Sequence, residues 1–257
     1  MNEYLQYSQN IIVTVNDTDF NGLVKPSAIL GYFQDVATTH AAIIGVGYDE
    51  MVAKNLAWVL IRTSYKVVRS PMLGEQLTVT TFPEKPRISD VNRSYYIYDS
   101  AGELVISGAS KWCAIDLTAH KLNRCAPLFA HFDNSAFIPT QPFDDVNPKL
   151  PAISDYGVTI DEPTAFTVQV TDLDRYHHMN NAKYGDAVLN ICGLAMLKSR
   201  SIARFDANYI SQLFVGDKYS SYKVTIGNTT HIEIKKSSTN DVAFRARIEW
   251  HAKQVIK

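Results

Sequence analysis

One structural unit occurs twice in the sequence, and this repeat limits the possible folds more than any other feature. In each copy a short β-like run leads through a polar turn into a helix, and four β-rich segments follow. The motif Asp17-Thr-Asp19 corresponds to Asp172-Leu-Asp174, 155 positions later (174 − 19). The turn Leu73-Gly74-Glu75 corresponds to Val215-Gly216-Asp217, 142 positions later (216 − 74). The repeat predicts two similar sheets around two helices.

The first copy is predicted to be an antiparallel meander with one apolar helix. Pro26 can occupy the first turn of this helix, and residues 28–44 are apolar on several faces, so other structure should surround it. Gly45 and Gly47 are expected to end it. No helix-length segment separates the later β-rich segments, which favours antiparallel pairing. The predicted strands are 11–15, 57–69, 76–82, 90–98 and 103–115.

The second copy is predicted to follow the same order after a proline-rich linker. Six of the ten prolines lie between residues 123 and 163, and the aromatic residues there favour an ordered strap over a solvated tether. We therefore expect domains at 1–122 and 164–257, joined by a linker at 123–163. The second copy is predicted as a strand at 166–171, a helix at about 181–198, and strands at 202–214, 218–226, 231–236 and 242–251.

Composition narrows the class of protein. With 46% hydrophobic and 20% charged residues the chain is typical of a globular protein, and its net charge of -1 offers no general attraction to nucleic acid or an anionic membrane. The N-terminal residues lack the pattern of a signal peptide, and no apolar run is long enough to span a bilayer, so a cytoplasmic location is expected. Three widely spaced cysteines favour reduced, buried thiols.

The segment 171–184, T-D-L-D-R-Y-H-H-M-N-N-A-K-Y, contains two acids, two histidines and two asparagines. A strand-to-helix connection needs at most one capping Asp or Asn, so the excess of polar groups indicates chemistry. In the first copy Leu23 stands where His178 does, which predicts that only the second copy is active.

Simpler interpretations exist for each of these residues. Asp174, Asn180 and Asn181 are also suited to turns and caps, and His177 is expected to be an exposed neighbour. Adjacent histidines point in different directions and no HxxxH or CxxC spacing occurs, so a metal site is disfavoured. Cys192 lies in an apolar helix and is expected to be core rather than a nucleophile.

The turn D-L-D-R-Y-H-H-M-N-N-A-K-Y resembles the fatty acyl-ACP thioesterase signature D-L-D-x-N-x-H-V-N-N-x-x-Y. The resemblance includes Trp58-Val-Leu, Arg69-Ser-Pro71, Gly74-Glu75, Ser110-Lys-Trp112 and Asp116, and so covers nearly the whole chain. It implies an α+β fold of two tandem hotdog domains, each a long apolar helix wrapped by an antiparallel sheet. The N-terminal hotdog would bind the acyl chain and the C-terminal hotdog would be catalytic.

By this resemblance the family's aspartate, histidine and paired asparagines fall on Asp174, His178, Asn180 and Asn181. Two positions depart from the pattern. The family's asparagine is Tyr176 here, and its glutamate, about 34 residues after the histidine, is Gln212. Because Gln orients water but cannot take its proton, Asp174 or His178 is the expected base and Gln212 the positioning group. Tyr176 either donates a hydrogen bond or fills space.

The resemblance implies hydrolysis of fatty acyl-ACP to free fatty acid and acyl carrier protein, without a cofactor. Water would be activated at the turn, and backbone N–H groups at 180–183 would stabilise the oxyanion. The acyl tunnel would involve Phe33, Ile44 and Trp58, although a core role explains all three. Lys198, Arg200 and Arg204 are the nearest basic cluster for an acidic carrier, or simply a solvated helix end.

Two other functions stay open from the sequence. The same site can serve an acyl-CoA thioesterase, and the changes at Tyr176 and Gln212 also fit a catalytically weakened acyl-binding protein. No nucleic acid or membrane partner is expected. Since hotdog halves normally pair and the fusion already provides a pair, a monomer or a homodimer is expected.

Overall fold

The two copies of the repeat contribute to one antiparallel sheet. A computed structural model describes residues 5–138 and 140–252, and the sheet runs through these residues in the order β1-β3-β4-β5-β2-β8-β11-β10-β9-β7, with β6 pairing with β5. The strands are β1 (Tyr7–Ile12), β2 (Leu56–Val67), β3 (Gln76–Pro83), β4 (Val91–Asp99), β5 (Leu104–Asp116), β6 (Leu122–Asn123), β7 (Thr164–Thr167), β8 (Arg200–Tyr209), β9 (Lys218–Ile226), β10 (Thr229–Lys236) and β11 (Val242–Ala252). The helices are α1 (Pro26–Ile43), α2 (Tyr48–Ala53), α3 (Lys183–Cys192) and α4 (Leu194–Ser199).

The halves have the same strand order and join along β2 and β8. These two strands pair antiparallel from Arg62 opposite Asn208 to Lys66 opposite Arg204. The sequence predicted two similar sheets, and the structure joins them into one because each half ends in a long inner strand with one free edge. Pairing the two edges satisfies their backbone hydrogen-bonding groups, which neither half can do alone.

Helix α1 packs its apolar face on the first half of the sheet. Ile29, Leu30, Phe33 and Val36 are all buried, as the apolar pattern predicted. The Phe33 ring stacks on Tyr95 with 4.2 Å between ring centroids. It also lies over Gly108, where an added Cβ would come within 2.5 Å of the ring, so any larger residue there would displace Phe33.

The helices of the two halves meet near their first turns. An added Cβ on Gly185 would lie 2.5 Å from the backbone nitrogen of Ser27, so α1 and α3 approach each other as closely as a glycine allows. The Ser27 hydroxyl donates a hydrogen bond to Asp186 of α3. This contact places the start of α3, and the polar turn before it, directly against the first half.

Several predicted boundaries differ from the structure. The helix predicted at 181–198 is divided at Gly193, whose φ of +79° ends α3 before α4 begins. The predicted strands 11–15 and 166–171 end earlier, and 3-10 turns at Val15–Asp17 and Val170–Asp172 follow them. Helix α2 was not predicted, because its two preceding glycines indicated only the end of α1. No helix among the described residues is long and apolar enough to cross a membrane.

The proline-rich segment lies against strands from both halves. The Asn147 N–H donates to Ser64 of β2, and the Leu150 N–H donates to Asn208 of β8, both at 2.9 Å. Beside these contacts Asp206, fully buried, accepts from Arg204 and Arg247. The Asp206 carboxylate, buried between two guanidinium groups, holds this face of the sheet. Without it, the buried Arg204 charge would lose its nearest acid.

Candidate active site

The turn before α3 is closed by the carboxylate of Asp174. Its Oδ1 accepts the backbone N–H groups of Tyr176 at 2.8 Å and His178 at 3.3 Å. The Asp174 N–H donates to the His178 carbonyl at 2.8 Å, so the main chain folds back on itself. This carboxylate therefore has a structural role in the turn, whatever else it does.

The turn before α1 has the same geometry. Asp19 Oδ1 accepts the N–H groups of Asn21 at 2.8 Å and Leu23 at 3.1 Å, and the Asp19 N–H donates to the Leu23 carbonyl at 2.8 Å. The aspartate and its hydrogen bonds are thus common to both halves. Any difference in chemistry between the two turns must therefore come from their other groups, such as the side chains at positions 23 and 178.

His178 is held at the side of the second turn by a neighbouring loop. Its backbone forms a β-bridge with Phe214, whose ring packs edge-on against the imidazole with 5.0 Å between centroids. The imidazole is half-buried, and its nitrogens have no hydrogen-bond partner among residues 5–138 and 140–252. Burial lowers the pKa of His178 below its ordinary value, the Asp174 carboxylate raises it, and His177 lowers it. A neutral imidazole with a free nitrogen can accept a proton from water.

Tyr176 packs against the first half of the molecule. Its ring lies 5.3 Å from that of Tyr48, the first residue of α2, and parallel to the His178 ring at 6.4 Å. The Arg175 guanidinium stacks on the same Tyr48 ring, with its central carbon 3.3 Å from the ring centroid. Burial raises the pKa of Tyr176, so its phenol stays protonated near neutral pH. The side chain lies between the two halves, and its role in the site stays a prediction.

Gln212 lies on the exposed loop that follows β8. The next residue, Leu213, is fully buried, and its carbonyl accepts the Met179 N–H at 2.8 Å. Phe214 pairs with His178, and Gln212 lies two residues before Phe214 in the same loop. Its side-chain amide makes no hydrogen bond within the described part of the chain. A positioning role for Gln212 stays a prediction.

Asn180 and Asn181 differ in what they contact. The Asn180 Oδ1 accepts the Ala182 N–H at 2.8 Å and its carbonyl accepts the Lys183 N–H at 2.9 Å, so Asn180 holds the turn that leads into α3. The Asn181 backbone N–H has no partner among the described residues. Asn181 also lines a cavity between α1 and the sheet, which we call the Asn181 cavity. Its wall consists of Leu30, Phe33, Gln34, Leu60, Thr63, Tyr95, Ser110, Trp112, Asn181, Ala182 and Tyr209.

The structure brings Phe33 to this cavity but places Trp58 elsewhere. The Trp58 indole N–H donates to the Val46 carbonyl at 2.8 Å, and its ring packs near Phe129 with 6.2 Å between centroids. Ile44 belongs to the same separate apolar cluster, below the 3-10 helix Ala126–Phe129. For Trp58 and Ile44 the contacts are those of a core residue.

Other candidates from the sequence also have defined surroundings. Burial raises the pKa of the Cys192 thiol to about 12, which agrees with the prediction of a core residue. Among the described residues no three His, Cys, Asp or Glu side chains lie together in a way that could hold a metal ion. Of the basic cluster, Arg204 is buried against Asp206, whereas Lys198 is exposed and Arg200 is half-buried.

The fold is that of acyl-ACP thioesterases built from two hotdog halves. The chain superposes on the 12:0-ACP thioesterase from Umbellularia californica with a TM-score of 0.85 at 22% identity, covering 96% of this chain and 98% of that one. An acyl-ACP thioesterase from Bacteroides thetaiotaomicron gives a TM-score of 0.84 at 22% identity, with the same coverage.

Sequence comparison assigns the family. The model of the acyl-ACP thioesterase N-terminal domain matches residues 4–131, and that of the C-terminal domain matches residues 158–252. The chain therefore belongs to the acyl-ACP thioesterase family. It is 24% identical to a chloroplastic palmitoyl-acyl carrier protein thioesterase from Gossypium hirsutum, over 97% of this chain and 64% of that protein. It is 23% identical to a chloroplastic palmitoyl-acyl carrier protein thioesterase from Cuphea hookeriana, over 80% of this chain and 51% of that protein. The chain therefore spans between half and two thirds of the length of these relatives.

Proposed function

We propose that the protein hydrolyses the thioester of fatty acyl-ACP to free fatty acid and acyl carrier protein. The observation that carries this proposal is His178. It is half-buried, its pKa is lowered by burial, its ring nitrogens are free within the described residues, and it lies in the turn that leads to the Asn181 cavity. Membership of the family supports the substrate class.

In this mechanism the His178 imidazole takes a proton from water as the oxygen attacks the thioester carbonyl carbon. The carbonyl oxygen gains negative charge and accepts a hydrogen bond from the Asn181 N–H, beside the positive end of the α3 dipole. When the tetrahedral intermediate collapses, the C–S bond breaks and the phosphopantetheine thiolate leaves. The imidazolium then returns its proton to that thiolate, so His178 ends in its starting state.

The remaining residues have supporting roles in the proposal. Asp174 holds the turn, and its negative charge favours the imidazolium form of His178. Asn180 holds the turn before α3 and so positions the Asn181 N–H, while Gln212 orients the water. Tyr176 closes the site against Tyr48. This assigns the base to His178 rather than to Asp174, because two backbone N–H groups already occupy Oδ1 of Asp174.

The acyl chain is proposed to enter the Asn181 cavity, in the half formed by residues 1–122, while 164–257 supplies the catalytic turn and 123–163 links them. Phe33, stacked on Tyr95, forms part of the cavity wall, so the acyl chain would contact this ring. Trp58 supports the connection between α1 and α2 in this half and does not line the cavity.

The test is a rate comparison on matched acyl-ACP and acyl-CoA substrates for wild type and for His178→Gln, with His177→Gln as the control. We expect wild type to release fatty acid faster from acyl-ACP, and only His178→Gln to lose that activity. Faster release from acyl-CoA would identify coenzyme A as the carrier. Tight acyl-ACP binding without turnover would instead identify an acyl-binding protein, in which Tyr176→Asn with Gln212→Glu should raise hydrolysis.

A further inference from the structure

A second cavity lies beside the turn of the first half, which the proposed chemistry does not use. Its lining residues are Asp19, Leu23, Val24, Lys25, Pro26, Ile29, Tyr65, Val67, Ser70, Pro71, Ile106, Leu189, Leu197, Arg200, Ser201, Ile202 and Trp250. We call it the Leu23 cavity. With space open to solvent included, its volume is about 480 Å³ against about 290 Å³ for the Asn181 cavity, whereas the space that admits the centre of a water molecule is about 30 Å³ against about 10 Å³. A ligand here would therefore lie along an open groove rather than inside a closed tunnel.

The two cavities occupy equivalent places in the two halves. Pro26 corresponds to Asn181 and Leu189 to Gln34, both by the shift of 155 positions that relates the turns (181 − 26 and 189 − 34). Each cavity also contains a tryptophan paired with an apolar residue of the central strands. Trp250 lies opposite Ile202, and Trp112 lies opposite Leu60. The larger cavity is therefore the counterpart of the proposed acyl-chain site, formed where the turn lacks a histidine.

The walls of the Leu23 cavity are apolar, but its charged groups have a net positive charge. Lys25 and Arg200 form no ion pair within residues 5–138 and 140–252, and the Arg200 guanidinium donates only to the Gly227 carbonyl, at 3.4 Å. The opposing acid is Asp19, whose carboxylate already accepts the N–H groups of Asn21 and Leu23 and the Asn21 side-chain amide. Lys25 and Arg200 thus line the cavity without an ion-pair partner among the described residues, while the Asp19 carboxylate is already occupied by hydrogen bonds. This arrangement favours an anionic ligand.

Exposed apolar side chains lie on the loops beside this cavity. Met72 is 55% exposed and pairs through its backbone with Leu23, and the next residue, Leu73, is 52% exposed. Phe20, within the turn itself, is 55% exposed. A ligand with an apolar part could cover this surface, and burying it would release water from about three large side chains.

We propose that the Leu23 cavity binds a free fatty carboxylate. Its chain lies between Ile29, Ile202 and Trp250, and its carboxylate lies between Lys25 and Arg200. This site is separate from the catalytic turn and does not rest on the proposed hydrolysis, because binding here requires neither His178 nor the Asn181 cavity.

The three tryptophans make the proposal directly testable. Trp250 lines the Leu23 cavity, Trp112 lines the Asn181 cavity, and Trp58 lines neither. Their indole N–H groups donate to Thr230, Ser110 and Val46 respectively, so each should give a distinct NMR signal. Sodium decanoate, added below its micelle concentration to the His178→Gln protein, should shift the Trp250 indole signal in a saturable way. The Trp58 signal serves as the internal reference.

Variants test the two recognition elements separately. Lys25→Gln with Arg200→Gln should raise the Kd measured at Trp250 at least about tenfold, or about 1.4 kcal/mol, since the carboxylate loses both cationic partners. Lys54→Gln with Lys121→Gln, which removes two exposed cations elsewhere, should leave it unchanged. Decanol, which has the chain without the charge, should bind more weakly than decanoate.

Three results would overturn the proposal. The first is a shift of Trp112 alone, which would place decanoate only in the Asn181 cavity. The second is an unchanged Kd in a Lys25→Gln, Arg200→Gln protein with a wild-type spectrum, and the third is equal binding of decanol and decanoate. If the double variant does not fold, Lys25→Gln and Arg200→Gln are measured singly, and each should weaken binding.

Discussion

The two turns, residues 17–25 and 172–180, have one backbone design and different side chains. In both, an aspartate accepts the N–H groups of the residues two and four positions later. In both, the residue four positions later pairs with the loop before a Gly-containing turn, Leu23 with Met72 and His178 with Phe214. The comparison shows that Asp174 alone does not define an active site. The imidazole at 178 is the group that the first turn lacks.

Each turn also contacts the short helix of the opposite half. Asn21 donates its side-chain amide to the Leu197 carbonyl of α4 at 3.4 Å, and Tyr176, at the equivalent position, packs on Tyr48 of α2. Position 21 in one half and 176 in the other therefore join the halves. The contact at this junction is polar through Asn21 and aromatic through Tyr176.

The sharpest test of the comparison is to remove the imidazole. His178→Gln should lower kcat by about 10²–10⁴-fold, because glutamine cannot act as a general base. His177→Gln, in the neighbouring exposed residue, should leave kcat within about twofold. Adding Leu23→His to the His178→Gln protein should not restore activity, since the first turn leads to a different cavity. Steady-state release of fatty acid measures all three, and restored turnover would show that the turns are interchangeable.

The pH dependence tests how Asp174 acts on His178. If the neutral imidazole is the base, kcat should fall as the pH drops through the pKa of His178, which lies below the ordinary value. Because the Asp174 charge raises that pKa, Asp174→Asn should move the acidic limb of the profile to lower pH. An acidic limb that shifts upward, or stays in place, would contradict a charge contact between the two side chains.

The shared structural role of the aspartates predicts matched losses of stability. Asp19→Ala and Asp174→Ala should each lower the free energy of unfolding by about 1 kcal/mol, the usual cost of losing a side-chain cap, and Asn should restore most of it in either turn. Urea denaturation measures both. Asp161→Ala is the control, since this exposed carboxylate pairs with Lys223 at 3.6 Å and belongs to neither turn. A loss in one turn but not the other would show that the shared hydrogen bonds are not energetically equivalent.

The smallest expected effect concerns the left-handed residue of each turn. Gly22 has φ +74° and His177, at the equivalent position, has φ +63°. Gly22→Ala should destabilise the protein by about 1 kcal/mol, because a Cβ disfavours this conformation. His177→Gly should have an effect of at most about 1 kcal/mol and of the opposite sign, as it relieves the same strain. Thermal unfolding compares the two, and equal signs would contradict a common backbone in the turns.

The repeat and the long apolar helix α1 could be predicted because they depend on local patterns. The pairs Asp19 with Asp174 and Gly74 with Gly216 align the two halves in the sequence alone. The break at Gly193 and the helix at Tyr48–Ala53 could not be predicted. A glycine within an apolar run is compatible with a continuous helix or a break, and packing on the sheet decides between them.

In the candidate site, too, local sequence indicated some features and tertiary packing decided the others. The polar excess of the turn singled out His178 and Asp174, but not which of them is free to act. That distinction required the hydrogen bonds of the Asp174 carboxylate, which depend on the backbone path. The family resemblance places Trp58 with Phe33 at the acyl tunnel, yet the two side chains lie in different apolar clusters. The position of a residue in a strand does not specify which residues its side chain contacts.

The sequence by itself determined that this protein has two related halves, that one carries a histidine which the other lacks, and that it belongs with the acyl-ACP thioesterases. Only the tertiary structure decided that β2 and β8 join the halves into one sheet and that each turn meets the opposite half's short helix. It also placed two unequal cavities at equivalent positions. The physical reason is that strand edges, cavities and unpaired charges depend on residues far apart in sequence, whereas repeats and caps are fixed within a few residues.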